Sequence, residues 1–275
     1  MLGHQLLKYL SREHEVRVTL HRPISAYASC GLFNESNAYG EIGVRDFERV
    51  ARVHQAFAPN AVVNAVGIVK QRADAKNSVI SIEVNSLLPH RLGDLCAKTD
   101  TRLVHMSTDC VFSGKKGGYR EEDPPDAEDL YGRSKLLGEV SGRRCLTIRT
   151  SIIGRELDRK TGLLEWFLAQ RGTVKGYRNA IFSGFTTIEM ARIIESVLVR
   201  QEAASGLYHV SSEPISKRDL LVLIRDRVGL ETNIVPDDGF RCDRSLDSSR
   251  FRSAFGYRPP SWVEMIDELA GTANA

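Results

Sequence analysis

Tyr131 and Lys135 lie four residues apart in the segment LYGRSK, a spacing that can support proton-transfer chemistry. Residues four apart on a helix share one face, and an adjacent ammonium favours the phenolate, which moves the tyrosine pKa from about 10 toward neutrality. Ser107 and Thr108 follow an apolar run that is typical of a buried strand. A hydroxyl from Thr108 could hold a substrate oxygen against the phenol, which suits hydride transfer to or from a carbon that bears oxygen.

The elements that position these side chains alternate between strand and helix through the first 150 residues. Apolar runs at 60–67, 102–108 and 145–150 predict buried strands, and the segment 129–142, with the tyrosine and lysine, predicts a helix. Such alternation predicts an α/β fold with a doubly wound parallel sheet. Ligands bind sheets of this type at the carboxyl ends of the strands, where the serine and threonine fall.

The alternation becomes less regular after Thr150, which predicts two lobes. We expect residues 1–150 to form the sheet domain and residues 151–275 a smaller lobe, some segments of which return to the sheet. The cleft between the lobes is the expected ligand site.

Composition excludes several classes of function. The formal net charge is +3 and no dense run of Lys or Arg occurs, so neither nucleic acid nor an anionic membrane surface is an expected partner. No apolar run approaches the roughly 18 residues that cross a bilayer. The five cysteines form no CxxC pair, which argues against a disulfide framework or a metal site. We expect reduced thiols and a cytoplasmic protein.

Several segments carry a resemblance to a known family. NAVG, RLVHMSTDCVFSG, YREEDPPDAEDLYGRSKLLGE and LTIRTSIIGRE resemble the extended short-chain dehydrogenase/reductase superfamily, and more narrowly its dTDP-4-dehydrorhamnose reductase branch. The resemblance runs from about Gly3 to Thr187. It implies an NAD(P)-binding Rossmann domain over 1–150 and a substrate-binding lobe over 151–275.

The resemblance also implies an activity. Members of this branch are oxidoreductases that act on sugar nucleotides in deoxysugar and cell-surface polysaccharide biosynthesis. The implied reaction is NADP(H)-dependent reduction of a 4-keto-6-deoxy nucleotide sugar. Thr108, Tyr131 and Lys135 are the implied catalytic residues: Thr108 polarises the keto oxygen, Tyr131 supplies the proton, and Lys135 tunes Tyr131 and binds the nicotinamide ribose.

The first residues, MLGHQLLKYL, match only the end of the family's nucleotide-binding motif. In the family a first strand leads into a GxxGxxG turn that approaches the cofactor pyrophosphate. Gly3 corresponds to the third glycine, so the first strand and most of the motif are expected to be absent. A start at an internal methionine, or a fragment, is the favoured explanation, and a relative without cofactor is the alternative.

The resemblance also implies which residues contact the cofactor. The second strand ends in TLHRP, where Arg22 suits the 2′-phosphate of NADP(H) and no acidic residue is present for the ribose of NAD(H). NADP(H) is therefore expected, with NAD(H) as the alternative. The implied cofactor-binding residues are Gly3, Arg22, Ala65, Val66, Gly67, Met106, Tyr131 and Lys135.

The implied substrate contacts are Ser107, Thr108, Asp109 and Ile152. Family members carry an aromatic residue at the position of Ile152, so the sugar specificity is expected to differ. Four cations could contact a nucleotide diphosphate, although each is more often a surface charge: Arg155, Lys175, Arg178 and Arg244.

The sequence bears on three alternative functions. A 4,6-dehydratase is disfavoured because Cys110 stands where that subgroup carries a glutamate base. A sugar-nucleotide 4-epimerase stays open, and it would show no net consumption of cofactor. A non-catalytic subunit that binds a sugar nucleotide or a protein is favoured by the absent strand and opposed by the intact Thr108, Tyr131 and Lys135. A homodimer is also left open.

Overall fold

Strands and helices alternate along the first half of the chain in the computed structural model, which describes residues 1–70, 73–158, 160–200 and 204–271. The helices are α1 (Leu2–Leu10), α2 (Phe47–Phe57), α3 (Ser78–Ile82), α4 (Leu88–Lys98), α5 (Leu130–Leu137), α6 (Leu163–Leu168), α7 (Thr187–Arg200), α8 (Lys217–Val228), α9 (Ser249–Phe255) and α10 (Trp262–Gly271). The strands are β1 (Val18–Thr19), β2 (Ala38–Tyr39), β3 (Ala61–Asn64), β4 (Arg102–Met106), β5 (Cys145–Arg149), β6 (Ile152–Ile153), β7 (Thr173–Phe182), β8 (Phe185–Thr186), β9 (Gly206–His209), β10 (Ile215–Ser216) and β11 (Asn233–Asp243). A π-helical turn, Glu83–Leu87, joins α3 to α4.

The central sheet has the strand order β3-β4-β5-β9, and every neighbouring pair is parallel. Val104 of β4 lies opposite Val63 of β3 and Leu146 of β5. The prediction of a parallel α/β sheet is confirmed. Since β9 follows residue 150 in sequence and pairs with β5, the later part of the chain contributes a strand to this sheet. The division into lobes at residue 150 stays a prediction.

Helices cover both faces of the sheet. Side chains alternate between faces along a strand, so Val104 joins one core cluster with Leu6 of α1, whereas Leu103 joins a second cluster with Leu92 of α4. These side chains are all buried, and full burial of an aliphatic side chain contributes about 1.5–3 kcal/mol. The doubly wound arrangement therefore follows from apolar residues at consecutive strand positions.

The strands β1 and β2 form a separate parallel pair. Among the described residues, β1 pairs only with β2, and β3 pairs only with β4, so each strand has one edge without a strand partner. The helix α1 nevertheless packs against α7 through Leu2, Leu6 and Leu10 on one face.

A smaller sheet of mixed direction forms beside the central one. Its order is β10-β7-β11, with β10 antiparallel and β11 parallel to β7. The helix α8 packs on β7 and buries Leu220, Leu221 and Ile224. Within the described ranges, no helix has the length and apolar character needed to cross a membrane.

Several element boundaries differ from the sequence prediction. The helix predicted over 129–142 ends at Leu137, where Gly138 packs against the backbone of Asn85. The strand predicted over 60–67 ends at Asn64, because the side chain of Asn64 accepts a hydrogen bond from the backbone N–H of Val66 at 3.2 Å and turns the chain.

Candidate active site

The chain after β4 makes a tight turn that presents Thr108 and Asp109. Thr108 caps a short 3₁₀ turn, Asp109–Val111, since its hydroxyl oxygen accepts a hydrogen bond from the backbone N–H of Cys110 at 3.1 Å. The same hydroxyl donates to Oδ1 of Asp109 at 3.2 Å. Both side chains are buried. The predicted hydroxyl therefore lies at the carboxyl end of a central strand.

The helix α5 places Tyr131 beside this turn. Asp129 caps the helix by accepting a hydrogen bond from the backbone N–H of Gly132 at 2.8 Å. A Cβ atom on Gly132 would lie 2.2 Å from the carbonyl oxygen of Cys110. Glycine is therefore required next to Tyr131, because only glycine lets the helix approach the turn so closely.

The phenol of Tyr131 lies beside the Thr108 side chain, which lowers its pKa. Tyr131 as a whole is partly exposed. Burial raises the pKa of Tyr131, and the neighbouring Cys110 acts in the same direction, while the contact with Thr108 opposes them. The sequence analysis expects Lys135 to tune this phenol toward neutrality, whereas burial and the neighbouring Cys110, Asp109 and Asp129 all raise its pKa.

Lys135 is buried one turn after Tyr131 on the same helix. Its Nζ donates to the backbone carbonyl of Met106 at 2.6 Å. Burial lowers the pKa of Lys135 to about 8, and Glu139 opposes this shift. The ammonium is thus anchored at the end of β4.

Asp109 lies in a low-polarity environment. Burial raises its pKa, and hydrogen bonds from the side chains of Ser151, Cys110 and Thr108 oppose the shift. Burial also raises the pKa of the Cys110 thiol to about 12, so this thiol is uncharged near neutral pH. The contact with Ser151 was not predicted.

Asn85 is a site residue that the sequence analysis missed. It lies in the π-helical turn and is fully buried. Its Oδ1 accepts from the backbone N–H of Ile68 at 2.8 Å, and its Nδ2 donates to the carbonyl of Ile68 and to Oγ of Ser134, both at 3.0 Å. Asn85 thereby joins the loop after β3 to α5. The available signal was a polar residue inside an apolar helical segment, which often marks a tertiary hydrogen bond.

The loop after β3 contains the predicted cofactor residues Ala65, Val66 and Gly67. A Cβ on Gly67 would come 3.5 Å from Oδ1 of Asn85, so this loop lies against the asparagine that holds α5. Val66 is 39% exposed. The loop therefore lies beside the catalytic helix with part of its surface accessible.

Lys70, at the end of this loop, is a second residue that the sequence analysis missed. Its Nζ lies 2.7 Å from Oδ2 of Asp129 and 5.8 Å from the centre of the Tyr131 ring. A single lysine in a polar loop gives no sequence signal for such a contact.

Ser107 makes its contact within the protein. Its hydroxyl donates to Oε1 of Glu139 at 2.7 Å, and Glu139 forms a two-point ion pair with the buried Arg149, each N···O distance being 2.8 Å. Arg149 in turn lies 3.2 Å from Nε2 of His209. A role of Ser107 toward substrate stays a prediction.

The remaining predicted residues lie outside this hydrogen-bonded set. Gly3 is exposed in the first turn of α1. The guanidinium of Arg22 contacts the carboxylate of Asp158 and lies 4.9 Å from the centre of the Tyr27 ring. Ile152 pairs with Phe185 in the β6-β8 ladder.

The four cations that were considered for phosphate binding all have protein partners. Arg155 pairs with Glu165, Lys175 with Asp237 and Arg178 with Asp238. Arg244 donates to the backbone carbonyls of Phe112 at 2.7 Å and Ser113 at 3.1 Å. Arg244 therefore fastens the chain just after the 109–111 turn.

Two other features of the surface carry no comparable chemistry. A cavity of about 190 Å³ lies near the amino ends of β4 and β5, lined by residues that include Cys96, Thr101 and Cys145. It is at the opposite end of these strands from Tyr131. In the ranges that the structure describes, no group of three or more His, Cys, Asp or Glu side chains could hold a metal ion.

The arrangement defines a Rossmann-type α/β protein with a tyrosine, a lysine and a threonine at the carboxyl edge of its sheet. The chain belongs to the family described as the RmlD substrate binding domain, which it matches over residues 1–274. The extended short-chain dehydrogenase/reductase resemblance is thereby confirmed.

Individual proteins support this placement. The chain is 24% identical over 263 residues to the dTDP-4-dehydrorhamnose reductase of Aggregatibacter actinomycetemcomitans, covering 86% of this chain and 89% of that protein. A crystal structure of a hypothetical dTDP-4-dehydrorhamnose reductase from Sulfolobus tokodaii is 26% identical, with a TM-score of 0.75 and coverage of 95% and 94%. The fold also matches dTDP-4-dehydrorhamnose reductase from Bacillus anthracis in complex with NADP, at 19% identity, a TM-score of 0.75 and coverage of 93% and 99%.

Proposed function

We propose that the protein is an NADP(H)-dependent oxidoreductase that reduces a 4-keto-6-deoxy nucleotide sugar, as part of deoxysugar and cell-surface polysaccharide biosynthesis. The observation that carries the proposal is the placement of Thr108 and Tyr131 side by side at the end of β4, with Lys135 anchored to Met106 one helical turn away. Membership of the RmlD substrate binding domain family and the named reductase from Aggregatibacter actinomycetemcomitans support it.

The described residues fit a dinucleotide. At Gly3 a Cβ would meet nothing within 4 Å, so the first turn of α1 is open to a phosphate. Ala65 and Gly67 keep bulky side chains away from the end of β3. The side chain of Arg22 is 46% exposed, so it can exchange Asp158 for a 2′-phosphate. NADP(H) is preferred on this ground, and NAD(H) is the alternative.

Each residue of the site has a separate role in the proposed reduction. A bound dinucleotide would supply a hydride to C4 of the sugar. Thr108 donates a hydrogen bond to the keto oxygen, and Tyr131 transfers its phenolic proton to that oxygen as the C–H bond forms, so that ketone, hydride and proton give an alcohol. Lys135 stabilises the phenolate that is left and binds the nicotinamide ribose, while Met106 presents the backbone carbonyl that holds Lys135.

The substrate is proposed to lie over the 108–109 turn. Asp109 accepts hydrogen bonds from the sugar, and Ile152 offers an apolar contact to the 6-methyl group. Ser107 supports the site through Glu139.

A homodimer is proposed through one apolar face. Val79, Ile82, Leu87 and Leu137 are between 40% and 64% exposed, and they lie on α3, the π-helical turn and α5, which pack together. Light scattering tests this proposal: wild type should have twice the monomer mass, and Leu137→Glu should be monomeric. The five free cysteines are those of a reducing compartment, so the cytoplasm is the proposed location.

Reduction is tested by following NADPH absorbance with dTDP-4-dehydrorhamnose as substrate. We expect turnover in the wild type and a rate at least about 100-fold lower in Tyr131→Phe, with little change in KM. Arg133→Gln on the same helix is the matched control, because its side chain is exposed and donates to the backbone carbonyl of Ala127. A Tyr131→Phe variant with normal turnover would remove this residue from the mechanism.

A further inference from the structure

The phenol of Tyr131 is surrounded by groups that disfavour its ionisation. Cys110 and Asp109 approach from the 109–111 turn and Asp129 from the start of α5, and each raises the pKa of Tyr131 beyond the effect of burial. Thr108 is the neighbour that opposes them through its hydrogen bond. Proton donation from this phenol therefore needs a compensating positive charge.

Lys135 alone is poorly placed to provide that charge. Its Nζ is committed to the carbonyl of Met106 at 2.6 Å, and burial lowers its own pKa to about 8. Part of the Lys135 population is then uncharged in mildly alkaline solution. Arg244 acts electrostatically on Asp109, Cys110 and Asp129, but its guanidinium is held by backbone carbonyls of the neighbouring segment.

Lys70 places a positive charge close to the Tyr131 ring. Its Nζ lies 5.8 Å from the centre of the Tyr131 ring, and a lysine ammonium within about 6 Å of an aromatic ring is attracted to it. The positive charge is felt by the neighbours of the phenol as well, since it lowers the pKa values of Cys110 and Asp129 against the effect of burial.

Asp129 fixes the position of this charge. Oδ1 of Asp129 accepts the backbone N–H of Gly132, and Oδ2 accepts Nζ of Lys70 at 2.7 Å. One carboxylate thus caps the helix that carries Tyr131 and ties the loop after β3 to it. Since this loop lies among the proposed cofactor contacts, the pair joins the cofactor side of the site to the proton donor.

We propose that Lys70, held by Asp129, is a positioning residue that presents a positive charge to the phenol of Tyr131 during proton transfer. The inference rests on the proposed function, because the phenol is the proton donor of that reaction. The charge stabilises the phenolate, so it makes Tyr131 a stronger acid. The negative charge of Asp129 disfavours the phenolate, whereas its two hydrogen bonds hold Lys70 and the start of α5 in place.

The test measures ionisation at position 131 without substrate or cofactor. Difluorotyrosine is incorporated at this position, which lowers the intrinsic phenol pKa, and its ¹⁹F chemical shift is followed against pH. We expect Lys70→Met to raise the midpoint by about one pH unit, since a unit charge is removed at close range.

Controls separate charge from structure. Lys70→Arg should keep the wild-type midpoint to within about 0.3 units because it preserves the charge. Lys115→Met removes an exposed lysine that pairs with Glu128 at the same 2.7 Å distance, and it should leave the midpoint unchanged.

A midpoint that does not rise in Lys70→Met, or that rises as much in Lys70→Arg as in Lys70→Met, would overturn the proposal. A phenol that stays un-ionised over the whole range in every variant would overturn it as well. Either result leaves the reductase proposal intact, because no turnover is measured. If the midpoints shift as expected but the wild-type protein does not reduce the keto sugar with NADPH, the proposed function alone is contradicted.

Discussion

The side-chain amide of Asn85 donates a hydrogen bond to the hydroxyl of Ser134 at 3.0 Å, across 49 residues of sequence. Ser134 precedes Lys135 and follows Tyr131 on α5, and its hydroxyl also donates to the carbonyl of Tyr131 at 3.0 Å. Because Asn85 holds both polar backbone groups of Ile68 as well, one buried amide sets the distance between the loop after β3 and the helix with the proposed proton donor.

Removal of this amide should destabilise the fold. Asn85→Ala leaves the backbone N–H and C=O of Ile68 and the hydroxyl of Ser134 with fewer partners, at a cost of about 3 kcal/mol in the free energy of unfolding. Urea denaturation measures the change. Asn233→Ala, at an exposed position in β11, is the control and should change stability by less than about 0.5 kcal/mol. Equal effects of the two substitutions would refute the bridging role of Asn85.

Two glycines, one just after α5 and one in the first turn of α1, should respond oppositely to alanine. A Cβ on Gly138 would lie 1.9 Å from the carbonyl oxygen of Asn85, so Gly138→Ala should cost about 3 kcal/mol. At Gly3 the added Cβ meets nothing within 4 Å, so Gly3→Ala should stabilise α1 by about 0.5–1 kcal/mol.

The second of these variants also tests the cofactor assignment. If the first turn of α1 binds pyrophosphate, Gly3→Ala should weaken NADPH binding while the melting temperature without cofactor rises. Calorimetric titration and thermal melts give both values. Unchanged NADPH affinity would exclude Gly3 from the cofactor site.

The ion pair of Glu139 with Arg149 should contribute more to the free energy of unfolding than the ion pairs at the surface do. The side chain of Arg149 is only 3% exposed, so Glu139→Gln leaves a buried charge with a poorer partner and should cost about 3–5 kcal/mol. Asp100→Asn breaks the exposed contact with Arg143 and should cost at most about 1 kcal/mol. Asparagine suits the left-handed backbone of residue 100 (φ 51°), so the control adds no strain. A Glu139→Gln cost as small as that of the control would show that the buried pair is not needed.

Stability should fall on mild acidification because of His209. This imidazole is fully buried, its Nδ1–H donates to the carbonyl of Tyr119, and its Nε2 accepts from Arg149. Burial, followed by the charge of Arg149, lowers the pKa of His209 to about 4. The unfolded chain therefore binds this proton first, and stability falls as pH drops from about 6.5 to about 4, by up to about 3 kcal/mol.

His209→Gln should make the fall in stability shallower, measured as the free energy of unfolding at pH 7.0 and pH 4.5. The exposed His21 provides the control, and His21→Gln should retain the wild-type slope. A His209→Gln slope as steep as the wild type would assign the acid sensitivity to another group, such as the buried His4, whose pKa burial also lowers to about 4.

The sequence predicted the parallel sheet and the position of Thr108 because both depend on local patterns. Consecutive apolar residues mark β4, and the hydroxyl follows where that strand ends. Tyr131 and Lys135 were found by helical spacing. Asn85 and Lys70 were missed because their partners are 49 and 59 residues away, and no local pattern reports a contact over that distance.

The electrostatic state of Tyr131 was also beyond the sequence. Spacing alone placed an ammonium beside the phenol and predicted a lowered pKa. The fold instead encloses the phenol between the turn at Cys110 and the helix cap at Asp129, and burial reverses the direction. The depth of a side chain depends on tertiary packing, which a four-residue spacing does not contain.

Hydride transfer to the sugar tests the central claim most directly. The protein is incubated with dTDP-4-dehydrorhamnose and NADPH that carries two deuterium atoms at C4 of the nicotinamide, and the product is analysed by NMR and mass spectrometry. We expect one deuterium at C4 of the sugar for each NADPH consumed, at a rate at least about 100-fold lower in Tyr131→Phe. A product without deuterium, an epimer formed with no consumption of NADPH, or binding of the sugar nucleotide with no reaction would contradict the account.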